Sequence, residues 1–210
     1  MLTVVSGLID AISYLGLGHV FTANMTGNVV ILGFAAVGAP GFSVAGSLVS
    51  LGAFMAGAVG AGRLELAMRQ RPRHHWVRTV LVLEALLLAI ATVIAFTAPA
   101  GRLYELIALI ALAMGMRNGT VRKLAVPDMT TTVLTLTITG LAFDSSLAGG
   151  TNPRVGRRIT AVLAMLAGAL AGAWLVLHHG LGWPLLASTT AVAATALAVR
   201  PAPAAEPDAA

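Results

Sequence analysis

A carboxylate and a polar run stand out in the first apolar part of this chain. Asp10 lies in the middle of VVSGLIDAISYLG, and HVFTANMTGN follows it. Four residues of that run have side chains or backbone suited to ligand contact: Asn24, Thr26, Gly27 and Asn28. Asn and Thr cap helix N-termini, whose free N–H groups attract anions and hydrogen-bond acceptors. A carboxylate in an apolar segment predicts a proton or cation site, with a structural hydrogen bond to Ser13 or Tyr14 as the alternative.

The composition requires a membrane around these residues. The 210 residues are 58% hydrophobic and 10% charged, and the mean hydropathy is +0.89. Soluble domains are about a quarter charged, so a soluble chain of this kind would expose apolar surface everywhere. We therefore expect an integral membrane protein with the lipid bilayer as its first partner. The net charge of +5 comes from bases in short loops, and three Trp and two Tyr are too few for a base-stacking platform, so nucleic-acid binding is not expected.

Other common functional patterns are missing from the sequence. There is no cysteine, which excludes thiolate metal sites and disulfides. The adjacent pairs His74–His75 and His178–His179 point in different directions on a helix, so we expect no metal site and no cofactor. No hydrolase or phosphate-loop motif occurs, and enzyme activity is not expected.

Apolar segments indicate about six membrane crossings. Four are near the length of a full span: Phe42–Met68, Trp76–Ala98, Ile159–Leu177 and Trp183–Val199. Leu2–Ala39 and Leu103–Ala148 are each two apolar pieces around a polar break. Each is either one discontinuous helix or a full helix followed by a re-entrant piece. Arginines cluster between residues 63 and 78 and between 154 and 158, which predicts that these loops and both termini are cytoplasmic.

The two halves of the sequence resemble each other. VFTANMTGNVVILGFA from Val20 aligns with VLTLTITGLAFDSSLA from Val133, and MAGAVGAG from Met55 aligns with LAGALAGA from Leu166. Asp10 then pairs with Asn118, and Trp76 with Trp183. The basic loops fall on opposite sides of the second element in each half, as in the inverted repeats of transporters.

The predicted fold is an all-α polytopic bundle with a 3+3 inverted repeat and two discontinuous or re-entrant segments. It forms a single transmembrane domain over residues 1–200, with halves at 1–98 and 101–200. Residues 201–210 are rich in Pro and Ala and are expected to form a disordered cytoplasmic tail.

Three further features have structural explanations as alternatives to functional ones. Glu84 is expected to pair with Arg63 or Arg78 near the inner face, and Asp144 to be interfacial. Two ladders of small residues at spacing four predict close helix contacts, and they are Gly52, Ala56, Gly60 and Ala164, Gly168, Gly172.

The functional hypothesis joins the two polar breaks. The second contains Pro127, Asp128 and Thr130–Thr132. The candidate substrate-binding or coupling residues are Asp10, Asn24, Thr26, Gly27, Asn28, Asn118, Thr130, Thr137, Thr139 and Gly140. The prediction is a small secondary transporter or channel for an unidentified small solute, with a homodimer left open. The alternatives are a membrane scaffold or assembly factor, and an ordinary external loop at residues 19–28.

Two stretches resemble a known family. SGLIDAISYLGLGHVFTANMTGNVVILG and ALAMGMRNGTVRKLAVPDMTTTVLTLTITGLAFD are similar to the signatures of the YoaK family (DUF1275). At the position of Arg117 that family usually has Gln. The resemblance implies a polytopic protein of the bacterial inner membrane, and it implies no substrate.

Overall fold

Eight α-helices and one short 3-10 turn make up the described part of the chain. The computed structural model describes residues 1–98, 101–124 and 131–199. The helices are α1 (Leu2–Gly16), α2 (Met25–Ala36), α3 (Val44–Ala67), α4 (Arg73–Thr97), α5 (Leu103–Leu124), α6 (Thr131–Phe143), α7 (Val155–His179) and α8 (Gly182–Ala198). These ranges contain no strand, so the all-α prediction is confirmed for them. Pro127, Asp128 and Thr130 of the second predicted break lie outside the described residues.

Three helices in these ranges are long and apolar enough to span a bilayer. They are α3, α4 and α7, with 24, 25 and 25 residues. The predicted span at Trp183–Val199 is the 17-residue helix α8, about 26 Å long at 1.5 Å per residue. That is shorter than the ~30 Å hydrocarbon core. Helix α5 has 22 residues but contains four charged side chains: Glu105, Arg117, Arg122 and Lys123. The chain is thus a polytopic helical membrane protein.

Two helix pairs run side by side in the same direction. In the pair α3–α5, Phe54 lies against Gly115, and Glu65 lies against Lys123. In the pair α1–α7, the backbone of Val4 lies against Gly168, and that of Leu8 lies against Gly172. Each pair therefore joins a helix of the first half to one of the second half. Since α1 corresponds to α5 and α3 to α7, the two pairs are equivalent.

The remaining large contacts are antiparallel. Helix α4 packs on α8, with Phe96 against Trp183 and Thr92 against Thr189. Helix α4 also packs on α5, and α1 on α8. It follows that α1, α4 and α7 point one way, and α3, α5 and α8 point the other way. Exchanging α1–α4 with α5–α8 maps these contacts onto each other, which is the packing expected of an inverted repeat.

Glycines make the two parallel contacts close. A Cβ at Gly168 would lie 2.0 Å from the carbonyl oxygen of Val4, and one at Gly7 would lie 2.2 Å from that of Met165. A Cβ at Gly57 would lie 2.1 Å from the carbonyl oxygen of Leu112. These distances leave no room for any side chain, so the backbones themselves are in contact.

One of the two predicted small-residue ladders is wrong by one position. Gly168 and Gly172 are buried against α1 as expected. In the first half, however, Gly57 and Ala61 are buried, while the ladder Gly52, Ala56 and Gly60 is exposed. Small residues occur on every side of α3, so its composition does not determine which face packs against α5.

The apolar core lies where α1, α4, α5 and α8 meet. Its fully buried side chains include Ile9, Ile12, Leu88, Ile110 and Leu185. The short helices are outside this core, since α2 packs on α3 and α6 packs on α7. They occupy equivalent places in the two halves.

Candidate functional site

The first polar break separates α1 from α2. Helix α1 ends at Gly16, and both Gly18 and His19 then adopt left-handed backbone, with φ of 77° and 60°. Helix α2 begins at Met25, and the Asn24 side chain caps it by accepting a hydrogen bond from Gly27 N at 3.4 Å. Asn24 is thus a helix cap, as predicted. Thr26 and Asn28 lie within the first turn and a half of α2 instead of capping it.

Asn28 fastens the break to α3. Its Oδ1 accepts a hydrogen bond from Phe21 N at 2.8 Å, and its Nδ2 donates to Phe21 O and to Ser50 Oγ, the latter at 3.0 Å. Ser50 Oγ also donates to Phe21 O at 2.6 Å. Asn28 is fully buried, and these bonds give both ends of its amide a partner within the protein.

This fastening turns α2 back along α3. Ser50 is six residues into α3, which is about 9 Å from its start. The other end of α2 returns to the start of α3, where the rings of Phe34 and Phe42 are 5.6 Å apart. His19 Nδ1 also lies 3.1 Å from Gly41 O. The N-terminus of α2 therefore points toward the middle of the bundle and its C-terminus toward the end.

Helix α6 is placed in the opposite sense. Arg158, near the start of α7, donates to Gly140 O at 2.8 Å and pairs with Asp144 at 2.8 Å. These contacts hold the C-terminal end of α6 at the opposite end of the bundle from α2. Asp144 follows the last residue of α6 with its side chain partly exposed, and its interfacial position stays a prediction.

An open cavity of about 490 Å³ joins the two short helices. Asn24, Thr26 and Gly27 line it from the N-terminal end of α2, and Thr135 lines it from α6. The rest of its wall is aromatic or aliphatic: Tyr14, Phe21, Val30, Ile31, Phe34 and Phe42. The described lining contains no ionised side chain.

The other predicted site residues of the second half lie elsewhere. Thr137 is 1% exposed, and its hydroxyl has no hydrogen-bond partner in the described ranges. Thr139 is exposed, and Gly140 is in contact with Arg158. None of the three lines the cavity described above. Thr135 was not among the predicted site residues, although the internal alignment pairs it with Thr22 of the first break.

Asp10 lies between the cavity and a second polar group. Helical spacing of four places Ser6, Asp10 and Tyr14 on one face of α1, where Tyr14 lines the cavity. At the other end of this stripe, Arg117 Nη1 donates to Ser6 Oγ at 3.5 Å. Asp10 Oδ1 is buried and has no hydrogen-bond partner among the described residues. Ser13 donates to the backbone oxygen of Asp10 and not to its carboxylate.

Asn118, the counterpart of Asp10, is locally bonded. Its Nδ2 donates to Met114 O at 2.9 Å, one turn earlier in α5. The amide thus has a partner within its own helix, whereas the Asp10 carboxylate has an unpartnered oxygen. Neither residue lines the cavity at α2.

Glu84 pairs with a residue that the sequence did not suggest. The prediction that Glu84 pairs with Arg63 or Arg78 is wrong. Glu84 of α4 forms a buried ion pair with Arg117 of α5. Arg117 also donates to Leu2 O at 3.4 Å. Glu84 is fully buried and Arg117 is 4% exposed. The signal available in the sequence was that Arg117 sits in an apolar segment, where a buried charge needs a partner.

No metal centre is found in the part of the chain that the structure describes. Groups of three or more His, Asp or Glu side chains able to hold a metal ion are absent there. The chemistry available at the cavity is therefore hydrogen bonding from α2, the Asn24, Thr26 and Thr135 side chains, and aromatic contact.

Comparison with known proteins places the chain in a family. Its sequence is 36% identical over 149 residues to the "UPF0700 transmembrane protein YoaK" of Bacillus subtilis (strain 168), which covers 70% of this chain and 65% of that protein. The chain thus spans less than two thirds of that relative's length in the match. No solved structure matches it. A family profile described as "Protein of unknown function (DUF1275)" matches residues 1–198, and the chain therefore belongs to the DUF1275 family.

Proposed function

We propose that this protein is a small secondary transporter or channel for a small polar solute. The observation that carries the proposal is the cavity shared by α2 and α6, two short helices from opposite halves of the chain. Irregular backbone at membrane depth is tolerated only where protein buries it or water reaches it. Here the helix start lines an open cavity, which is the arrangement of solute sites in many transporters.

The cavity lining favours a neutral solute with hydrogen-bond acceptors, or a small carboxylate. The first N–H groups of α2 are directed to its N-terminal end, where Asn24 uses one of them. Thr26 is exposed, and its hydroxyl is available for a further hydrogen bond. The rings of Tyr14 and Phe21 are stacked 5.0 Å apart at the wall, which suits an apolar face on the same solute.

Asp10 is the proposed coupling carboxylate. Its buried, unpartnered oxygen lies one turn from Tyr14 at the cavity wall, and one turn the other way along the same face of α1, Ser6 accepts a hydrogen bond from Arg117. Proton or cation uptake at Asp10 would change the charge balance beside the buried pair Glu84–Arg117. That change is a physical route from ion binding to movement of α1 against α5.

The proposed topology has six crossings, made by α1, α3, α4, α5, α7 and α8, with the loop of residues 68–72 in the cytoplasm of a bacterial inner membrane. The chain has no native cysteine, so a Gln70→Cys variant reports one site. We expect it to react with a membrane-impermeant thiol reagent only after the cells are opened. Labelling in intact cells would overturn this orientation.

Water access to the cavity tests the transport proposal without knowing the solute. A Thr135→Cys variant should react with a charged thiol reagent both from outside intact cells and from the cytoplasmic side of inverted vesicles. The matched control is Leu136→Cys, whose side chain is 68% exposed beside it and should face lipid. A reaction at Thr135→Cys from one side only, or none, contradicts a transport route through this cavity.

A functional assay follows from the same cavity. Proteoliposomes should swell faster in glycerol, urea or glycine than protein-free liposomes if one of these solutes passes. Thr135→Trp should abolish that difference by filling the cavity, whereas Leu136→Trp should not. Equal swelling by both variants would place any permeation elsewhere in the protein.

A scaffold function remains the second candidate because one observation favours it. The small residues Gly52, Ala56 and Gly60 form an exposed face on α3, and such faces allow close helix contact with another protein. Gly52→Leu and Gly60→Leu would then disrupt an assembly while leaving Thr135→Cys accessibility unchanged. The transport proposal expects these two variants to retain full solute permeation.

A further inference from the structure

Two adjoining cavities lie at the arginine-rich end of the bundle, away from the cavity at α2. The first, of about 100 Å³, is lined by basic side chains: Arg69, Arg71, Arg73 and Lys123. The second, of about 410 Å³, is lined by small residues of α3 and α5: Ala58, Ala61, Gly62 and Gly119. Glu65, Trp76 and Lys123 line both. We call the two together the Trp76 cleft.

Trp76 supplies a hydrogen-bond donor without an acceptor. Its side chain is 4% exposed, and its indole Nε1 is buried with no hydrogen-bond partner among the described residues. A buried N–H that lacks an acceptor costs free energy. An acceptor entering the cleft beside Trp76 would remove that cost.

The charges of the cleft favour an anion. Its one acid, Glu65, pairs with Lys123 at 3.2 Å, and no other ion pair in the described ranges involves Arg69, Arg71 or Arg73. Helix α4 begins at Arg73, and no side chain caps it, so its first N–H groups add to the positive potential there. Three arginines, the start of α4 and the Trp76 side chain thus line the small cavity.

The apolar cavity identifies the kind of anion. Free phosphate would use only the basic part of the cleft, because Ala58, Ala61, Gly62 and Gly119 offer it nothing. A phospholipid would place its phosphate at the arginines and an acyl chain along the groove between α3 and α5. Basic pockets at the cytoplasmic ends of membrane helices commonly bind anionic lipid headgroups.

We propose that the Trp76 cleft binds an anionic phospholipid, with its phosphate at Arg69, Arg71 and Arg73 and an acyl chain against the small residues of α3 and α5. The site is separate from the cavity at α2 and does not depend on transport. The bound lipid would fasten the α3–α4 loop to the end of α5.

Quenching of Trp76 fluorescence tests the proposal in the intact chain. The background variant Trp174→Phe/Trp183→Phe leaves Trp76 as the only tryptophan, since the chain has three. It is reconstituted into phosphatidylcholine vesicles that contain a small fraction of acyl-brominated phosphatidylglycerol or of acyl-brominated phosphatidylcholine. We expect phosphatidylglycerol to quench Trp76 much more strongly at the same fraction, and equal quenching by the two lipids would overturn the proposal.

Matched double variants separate this site from general surface charge. Arg69→Gln/Arg71→Gln should lower the preference for phosphatidylglycerol at least tenfold, because both side chains line the small cavity and losing one hydrogen bond to a charged group costs about 1.5 kcal/mol or more. Arg63→Gln/Arg78→Gln removes the same charge from outside the cleft and should keep most of the preference. Equal losses in the two doubles would contradict a specific site.

A thermal-shift measurement distinguishes lipid from free phosphate and tests the indole. Phosphatidylglycerol added to the detergent-solubilised wild-type protein should raise its Tm, whereas phosphatidylcholine and inorganic phosphate should not. Trp76→Phe keeps an aromatic ring, although a smaller one, and removes the N–H, so the shift should become smaller. A shift of the same size with inorganic phosphate alone would show an ion site and overturn the lipid assignment.

Discussion

The two halves of the molecule share a packing framework but not their polar residues. Gly7 on α1 and Gly168 on α7 lie against each other's helix backbone, and Gly115 on α5 and Gly57 on α3 do the same, at similar close range. The internal alignment makes these two contacts equivalent. At other equivalent positions the halves differ in charge. Close backbone contact is thus common to the two halves, while the polar side chains distinguish one half from the other.

The buried ion pair is the largest of these differences. Glu84 and Arg117 bridge α4 and α5, and the equivalent positions on α8 and α1 hold Ala191 and Ile9. Ile9 is fully buried in the apolar core, with Ala191 packed against that core. Apolar side chains thus fill the equivalent place in the other half, so we expect the fold to accept apolar residues where the pair stands.

Replacing one member of this pair should have the largest effect. Arg117→Met leaves the Glu84 carboxylate buried without its partner, which typically costs about 3–5 kcal/mol. We expect a large fall in Tm and in the yield of folded protein. The double variant Glu84→Leu/Arg117→Met copies the apolar character of the other half and should recover most of the loss. Equal instability of the single and double variants would mean that the packing does require these charges.

Adding a side chain at the shared glycines should affect both halves alike. Gly57→Leu and Gly168→Leu each force carbons into a neighbouring backbone carbonyl about 2 Å away, and over-packing usually costs about 1–3 kcal/mol. Melting in detergent and size-exclusion profiles measure the loss. Gly52→Leu is the control, because nothing lies within 4 Å of its added Cβ. Damage in one half only would break the proposed equivalence.

The helices and the break between α1 and α2 could be predicted from the sequence, because apolar runs and capping residues act on their own stretch of chain. Apolar segments, the polar break and the capping residue Asn24 were all predicted from residue type. The register of α3 was not predictable, since Gly52 and Gly57 are equally small and only contact with α5 selects between them. Likewise, Arg78 is close to Glu84 in sequence and Arg63 is on the preceding helix, yet the pairing with Arg117 depends on how α4 packs against α5.

The cavity was predicted in part. Asn24, Thr26 and Gly27 do meet a residue of the second half, but that residue is Thr135 and not Thr137 or Thr139. Which threonine of a TLTIT run faces a cavity depends on the rotation of α6 about its axis. Periodicity does not determine this rotation when every side of the helix is apolar or hydroxylic.

The equivalent pair Asp10 and Asn118 tests whether charge at one half matters for transport. Asp10→Asn makes the two positions alike and removes an unpartnered carboxylate, so the protein should remain folded with an unchanged or higher Tm. Any proton dependence of solute uptake should disappear. The Asn118 amide already has a hydrogen-bond partner in Met114 O and carries no ionisable proton, so Asn118→Ala should leave the proton dependence intact. Retained proton dependence in Asp10→Asn would exclude this carboxylate as the coupling group.

Thr26 and Thr139 provide the finest comparison, because the alignment pairs them and only Thr26 lines the cavity. Thr26→Val keeps the shape of the side chain and removes one hydroxyl, and one hydrogen bond is worth roughly 1 kcal/mol. Solute binding should therefore weaken by about fivefold, while Thr139→Val should bind as the wild type does. The measurement is the concentration of the permeant solute that half-protects Thr135→Cys from thiol labelling, in each background. Equal protection constants in the two variants would show that the Thr26 hydroxyl does not contact the solute, and the N–H groups of α2 would then be left as the polar contacts from that helix.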